Sequence, residues 1–177
     1  MKFLLDTDTC IYALKQNPSV LKSLLAESRE DISVSVISEA ELRTGAAKST
    51  SAAKTLRLIE NFLHPLGILE FTSNDAVSYA QIRAKLEVAG TPIGPLDTLI
   101  AAQAVSRKLA LVSNNQSEFS RVAGLHLENG HASSRQTSIS WLTALPNNAR
   151  LSRSFRTGAK TLMSWHKSGQ QMSLIGI

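Results

Sequence analysis

Apolar and polar residues follow a pattern of short strands separated by helices over residues 1–130. Residues 32–37 read Ile-Ser-Val-Ser-Val-Ile, and this alternation of period two predicts a strand. Residues 96–106 are largely apolar but too long for a strand, which favours a buried helix. Strands that alternate with helices are typical of a parallel sheet covered on both faces. Strands are predicted at 2–5, 32–37, 66–71, 109–112 and a short 126–127, and helices at 9–15, 20–27, 38–48, 52–63, 75–88 and 96–106.

Polar residues indicate where two of these helices begin. Ser38 follows the second strand as a predicted N-cap, and Glu41 three residues later completes a capping box. Ser73 or Asn74 is predicted to cap the helix over 75–88.

The composition changes after Gly130. Residues 1–130 contain 13 Lys and Arg against 14 Asp and Glu, whereas residues 131–177 contain six Lys and Arg, nine Ser and no acid. The net charge of +5 therefore comes from this C-terminal extension. Because its apolar residues have no sustained period, we expect it to be mostly disordered or loosely helical and dispensable. Short helices are considered only at 140–145 and 154–165.

The overall composition excludes several classes of protein. With 43% hydrophobic and 19% charged residues, the chain is globular. The single cysteine, Cys10, excludes a disulfide framework and a cysteine-rich zinc site. The first residues, MKFLLDTDTC, are not expected to form a signal peptide, because their apolar stretch is short and an acid comes early. No apolar run approaches the roughly 20 residues of a membrane span. We expect a soluble, cytoplasmic protein with no membrane association.

Three acids lie where predicted strands end or helices begin. Asp6 follows the first strand, Glu41 opens the helix after the second, and Asp97 opens the helix before the fourth. The C-terminal ends of parallel strands meet in one crevice, so these carboxylates are expected to converge. A divalent cation would relieve their repulsion, and oxygen ligands favour magnesium or manganese. Further polar candidates at the end of the fourth strand are Asn114, Asn115 and Glu118.

Each acid also has a purely structural explanation. Asp6 could be only a helix cap, Glu41 only the capping-box partner of Ser38, and Asp97 only a first-turn acid that favours the helix dipole. No histidine is placed to act as a nucleophile or base, so metal-assisted hydrolysis of a phosphodiester fits the three acids together best.

The chain resembles the PIN-domain ribonucleases of the VapC type in five segments, which read MKFLLDTDTCIYALK, SVSVISEAELRTGAAKS, GTPIGPLDTLIAAQA, LALVSNNQSEF and GLHLENG. These segments follow the family's order and spacing across residues 1–130. The resemblance implies a PIN-like three-layer α/β/α fold with a mainly parallel, four- to five-stranded sheet. An irregular C-terminal extension over residues 131–177 would follow this PIN domain.

The resemblance also implies a set of site residues. In that family the strand-end Asp, the Glu of the ELxxG segment and the Asp of the GPLD segment hold the metal, which implies Asp6, Glu41 and Asp97 here. The implied cofactor is Mg²⁺, for which Mn²⁺ can substitute. The fourth acidic position of many PIN domains matches Asn115, and Glu118 is the candidate for the missing carboxylate.

By resemblance, the implied activity is that of a Mg²⁺-dependent endoribonuclease toxin, with tRNA as a candidate substrate. A VapB-like antitoxin would hold it inactive, and the toxin is expected to be a homodimer. The antitoxin is expected on the helices near the N-terminus, unless their apolar residues all belong to the core. These residues are Ile11, Leu14, Val20, Leu21, Leu24 and Leu25.

Two features depart from the family pattern. Asp8 stands where the family usually has Asn, and its extra charge either tightens metal binding or disturbs it. The extension over residues 131–177 is unlike the family, and a frameshifted or fused segment is the preferred explanation over an evolved functional one.

Two other functions stay open at this point. Asp6-Thr-Asp8-Thr-Cys10 at the end of a strand resembles the DxDx[TV] opening of haloacid-dehalogenase-like phosphatases, although the late acidic pair of those enzymes is missing. A catalytically inactive PIN-fold binding module is the third hypothesis.

Overall fold

The computed structural model describes residues 1–130. Residues 131–177, and with them the predictions made for the C-terminal extension, lie outside the described residues. In the described part of the chain, no helix is long and apolar enough to cross a membrane.

Five parallel strands form one sheet in the order β3-β2-β1-β4-β5, which confirms the predicted mainly parallel sheet. Central strand β1 pairs with both β2 and β4, so it is buried within the sheet. The strands are β1 (Phe3–Leu5), β2 (Ile32–Ser35), β3 (Gly67–Leu69), β4 (Ala110–Ser113) and β5 (His126–Asn129).

Helices cover both faces of the sheet and complete the three layers. Successive residues of a strand point to opposite faces. Leu5 accordingly belongs to a core with α1 to α4, whereas Leu4 belongs to a second core with α5, α6 and α7. The helices are α1 (Thr7–Leu14), α2 (Pro18–Leu25), α3 (Val36–Ala47), α4 (Ala52–Leu63), α5 (Ser73–Val88), α6 (Pro95–Arg107) and α7 (Gln116–Phe119).

Helix α3 begins earlier than its sequence predicts. Its N-cap is Ser35, whose hydroxyl accepts a hydrogen bond from the Ile37 N–H at 3.0 Å. The predicted capping box of Ser38 and Glu41 is therefore wrong, because both residues lie inside the helix. Strand β2 cannot continue to Ile37 since its neighbour β3 pairs with it only as far as Ser35.

Helix α5 also begins at a different cap from the predicted Ser73 or Asn74. Its N-cap is Thr72, which forms a capping box with Asp75. Asp75 Oδ2 accepts hydrogen bonds from the backbone N–H and from the hydroxyl of Thr72, both at 2.8 Å. The box leaves Ser73 and Asn74 in the first turn of the helix.

Most of the apolar residues singled out in the N-terminal helices belong to the hydrophobic core. Helix α2 packs against α1, and four of the six residues proposed for antitoxin contact are buried there. The expectation that these four face a partner is wrong, and only Leu21 and Leu25 keep partial exposure. The four buried residues are Ile11, Leu14, Val20 and Leu24.

The strand order reverses at the centre of the sheet. From β1 the chain moves outwards through β2 to β3, and it then returns to place β4 on the other side of β1. Ligands of open α/β sheets bind at the carboxyl ends of the strands beside such a switch point. Asp6 directly follows β1, and Ser113 ends β4, so both residues lie at this point.

Candidate active site

The carboxylate of Asp6 is fully buried and bridges two elements. Its Oδ1 accepts a hydrogen bond from the Thr7 N–H at 2.7 Å, which caps α1. Its Oδ2 accepts from the Ser113 hydroxyl at 2.7 Å, which connects the end of β1 to the end of β4. Asp6 is therefore a helix cap, as one explanation held, but it also spans the switch point. Sequence reasoning missed Ser113, whose only signal is its place between an apolar strand and Asn114.

Glu41 faces α1 rather than the start of its own helix. Its side chain is buried, and Oε2 accepts a hydrogen bond from the Thr7 hydroxyl at 2.7 Å. Thr7 thus binds Asp6 through its backbone N–H and Glu41 through its hydroxyl. Two of the three predicted acids are brought together around this one residue, which the sequence did not single out.

Asp97 is the third residue of α6 and is 1% exposed. The first turn of a helix has N–H groups without intrahelical acceptors, and it favours a carboxylate. Gly94, the N-cap, permits a close approach, because a Cβ atom there would lie 2.9 Å from Asp97 Oδ2. Helix α6 packs against α3, and a hydrogen bond from the Ser35 hydroxyl to Gln103 joins the two. Asp97 therefore lies on the helix beside the one that carries Glu41.

Asn115 and Glu118 lie immediately after β4. The Asn115 backbone N–H donates to the Ser113 hydroxyl oxygen at 3.0 Å, and the same hydroxyl donates to Asp6. Asn115 is therefore one hydrogen-bonded residue away from Asp6. Glu118 lies on α7 and is half-buried, so it follows the same strand end.

The pKa of the Cys10 thiol is raised by its surroundings. Burial raises its pKa well above the usual value, and the negative charges of Asp6, Asp8 and Glu41 raise it further. Three carboxylates thus act on one atom in α1. A raised pKa favours the protonated thiol, which is a poor nucleophile compared with a thiolate.

The donor set suits a hard divalent cation. Buried oxygen donors from Asp6, Asp8, Glu41 and Asp97 are the ligand type that Mg²⁺ and Mn²⁺ prefer. Within residues 1–130, no three His, Cys, Asp or Glu side chains form a ready-made metal cage. Mg²⁺ does not require one, since it keeps several waters and is usually bound by one or two carboxylates together with substrate phosphate.

Comparisons with known proteins identify the family of this chain. The family model described as PIN domain matches residues 3–125. The tRNA(fMet)-specific endonuclease VapC of Salmonella typhimurium is 38% identical over 128 residues, which are 72% of this chain and 97% of that protein. Ribonuclease VapC2 of Haemophilus influenzae is 40% identical over 129 residues, or 73% and 98% of the two chains.

A solved structure gives the same result at the level of the fold. The DNA-bound VapBC of Salmonella typhimurium superposes with a TM-score of 0.70 at 38% identity, covering 73% of this chain and 98% of that one. These matches confirm the resemblance drawn from the sequence and rule against the haloacid-dehalogenase-like alternative for Asp6 and Asp8. The chain belongs to the PIN domain family, among its VapC ribonucleases.

Proposed function

We propose that this chain is the toxin of a toxin–antitoxin pair and hydrolyses phosphodiester bonds of RNA, with tRNA as the substrate class and Mg²⁺ as the cofactor. The observation that carries the proposal is the pairing of Asp6 and Glu41 around Thr7 at the switch point of the sheet. Its substrate class follows from the relative of 38% identity that is named a tRNA(fMet)-specific endonuclease. Single-stranded loops of a folded RNA offer the splayed bases that proteins read most easily.

Asp6 and Asp97 would hold the metal, with Glu41 contributing directly or through a water molecule. When bound, a divalent cation lowers the pKa of a coordinated water and offsets negative charge on the phosphate. The chain's own contribution is to fix its carboxylates before the substrate arrives. Thr7 and Ser113 each donate a single hydrogen bond to an Asp6 oxygen, so the orientation of that carboxylate is set by two separate elements.

Asn115 and Glu118 would complete the substrate side of the site. The neutral amide of Asn115 can donate to a phosphate oxygen, which a carboxylate cannot do. Glu118 would supply a further acid from α7, after the same strand end.

The products of cleavage are expected to carry a 5′-phosphate and a 3′-hydroxyl. In-line attack of water on phosphorus leaves these ends, whereas attack by the ribose 2′-hydroxyl leaves a 2′,3′-cyclic phosphate. End labelling of the fragments distinguishes the two outcomes. EDTA should stop the reaction and added Mg²⁺ or Mn²⁺ should restore it. A cyclic phosphate product would refute the proposed mechanism.

A VapB-like antitoxin encoded by the adjacent gene is expected to form a stable complex that lacks ribonuclease activity. Related solved structures are VapBC complexes. On this chain, Leu21 and Leu25 are the apolar residues of α2 that keep partial exposure. Leu25→Asp should weaken the complex about tenfold, as expected for an interface anchor.

Val88→Asp is the matched control for that change. Val88 is 90% exposed at the end of α5, on the opposite face of the sheet. Pull-down with both variants checks the prediction. Equal weakening of the complex by the two substitutions would contradict antitoxin binding at Leu21 and Leu25 of α2. A complex that still cleaves RNA would contradict the toxin assignment. Homodimer formation stays a prediction.

A further inference from the structure

Asp8 lies in the first turn of α1, two residues after Asp6, and only 6% of it is exposed. The residues on either side of it, Thr7 and Thr9, connect this turn to two other elements. The Thr7 hydroxyl donates to Glu41 on α3, and the Thr9 hydroxyl donates to the Val112 carbonyl on β4 at 2.9 Å. The position of Asp8 relative to Asp6 is therefore fixed by contacts with both α3 and the sheet.

The charge of Asp8 adds to the same local field as the charges of Asp6 and Glu41. All three carboxylates are buried around the first turn of α1, where Thr7 binds Asp6 through its N–H and Glu41 through its hydroxyl. Salt largely screens the interaction between two exposed charges that lie more than about 10 Å apart. It screens the interaction between buried charges much less. The affinity of oxygen-ligand sites for divalent cations rises with the number of carboxylate charges.

We propose that Asp8 is an affinity-determining residue whose buried negative charge tightens divalent-cation binding at the site of Asp6, Asp97 and Glu41. The inference rests on the proposed function, because that function places the cation there. Sequence alone left open whether this charge tightens or disturbs binding. Burial in the turn that carries Asp6 favours tightening, since a cation relieves the repulsion between the two carboxylates.

A merely structural role for Asp8 makes a different prediction. An acid in the first turn of a helix stabilises the helix through its dipole. In that case Asp8→Asn would lower the melting temperature slightly and leave the cation affinity unchanged. Measuring cation affinity and melting temperature on the same variants separates the two roles.

The test is a titration of the full chain, stripped of metal, with Mn²⁺. Free Mn²⁺ is followed by its EPR signal, and thermal unfolding is followed with and without the ion. Asp8→Asn should weaken Mn²⁺ binding about tenfold or more, because one unit charge near a divalent ion is removed. The rise of melting temperature on adding Mn²⁺ should shrink accordingly.

Glu39→Gln is the matched control. Glu39 lies on α3 close to Glu41 in sequence, but its carboxylate accepts from Arg43 Nε at 2.8 Å. Its loss changes the net charge by the same amount and should leave Mn²⁺ affinity within about twofold, since the Glu39 carboxylate is partly exposed and already paired with Arg43. Asp8→Glu, which keeps the charge, should bind far better than Asp8→Asn.

Each outcome decides the proposal. Wild-type affinity in Asp8→Asn, together with lost binding in Asp6→Asn, would overturn the role of Asp8 and leave the proposed function standing. A wild-type chain that binds no Mn²⁺ would overturn both. An equal loss in Asp8→Asn and Asp8→Glu would overturn the charge argument. If Asp8→Asn does not fold, Asp8→Ser takes its place in the comparison.

Discussion

Replacement of Asp6 or Asp97 by asparagine is expected to lower RNA cleavage at least about a hundredfold, because several kcal/mol of metal-derived stabilisation is lost. The fold should survive. An asparagine at position 6 keeps the side-chain volume and can still accept the Thr7 N–H that Asp6 Oδ1 now accepts. At position 97, asparagine retains the close packing against Gly94.

Glu30→Gln is the control for these two variants. Glu30 is exposed beside Arg29, in a short turn before β2, so its carboxylate should not affect cleavage. Cleavage rates are compared at saturating Mg²⁺, and thermal unfolding verifies that each variant is folded. Full activity of either Asp6→Asn or Asp97→Asn would contradict the proposed metal site.

Arg107→Ala is expected to give the largest loss of stability, about 3 kcal/mol in the free energy of unfolding. Arg107 ends α6, and its Nη2 lies 2.9 Å from Oδ2 of Asp75 at the start of α5. The Asp75 side chain is 1% exposed, so removing the guanidinium leaves a buried carboxylate without its cation. Arg107 also donates to the Glu70 carbonyl. Urea unfolding measures the change.

The same ion pair predicts how stability depends on pH. Burial raises the pKa of Asp75, but hydrogen bonds from Arg107 and Thr72 outweigh it and lower the pKa from 3.8 to about 2. A carboxyl group with a lowered pKa stabilises the fold above its unfolded pKa. The ionised Asp75 should therefore contribute about 2 kcal/mol to the free energy of unfolding at pH 5. This contribution should be lost as the pH falls through about 2. Asp75→Asn should lack this part of the pH dependence, and an identical acid profile in the variant would contradict the assignment.

The order of strands and helices could be predicted from the sequence because the hydrophobic period differs between the two. Helix α4 begins and ends at the predicted residues, since Pro65 stops the pattern just after it. The boundary between β2 and α3 could not be placed in the same way. Ser35 and Ser38 are both good caps, and the choice between them depends on how far the neighbouring strand pairs.

The candidate site was predictable only in part for a similar reason. The acids at strand ends were recognisable because a parallel sheet brings those ends to one edge. Thr7 and Ser113, which hold these acids, were not recognisable. Thr7 binds a carboxylate 34 residues away and Ser113 one 107 residues away, so both contacts depend on tertiary packing. The burial of α1 by α2 was missed because the sequence does not show which helices pack together.

Cleavage of total tRNA by the purified full chain, freed of antitoxin, tests the central claim most directly. The protein is incubated with the tRNA in Mg²⁺, in Mn²⁺ and in EDTA, and the fragments are resolved on a denaturing gel. The account predicts discrete fragments from a subset of tRNAs in either metal and intact tRNA in EDTA. Intact tRNA in both metals from a folded protein, or equal cleavage in EDTA, would contradict it.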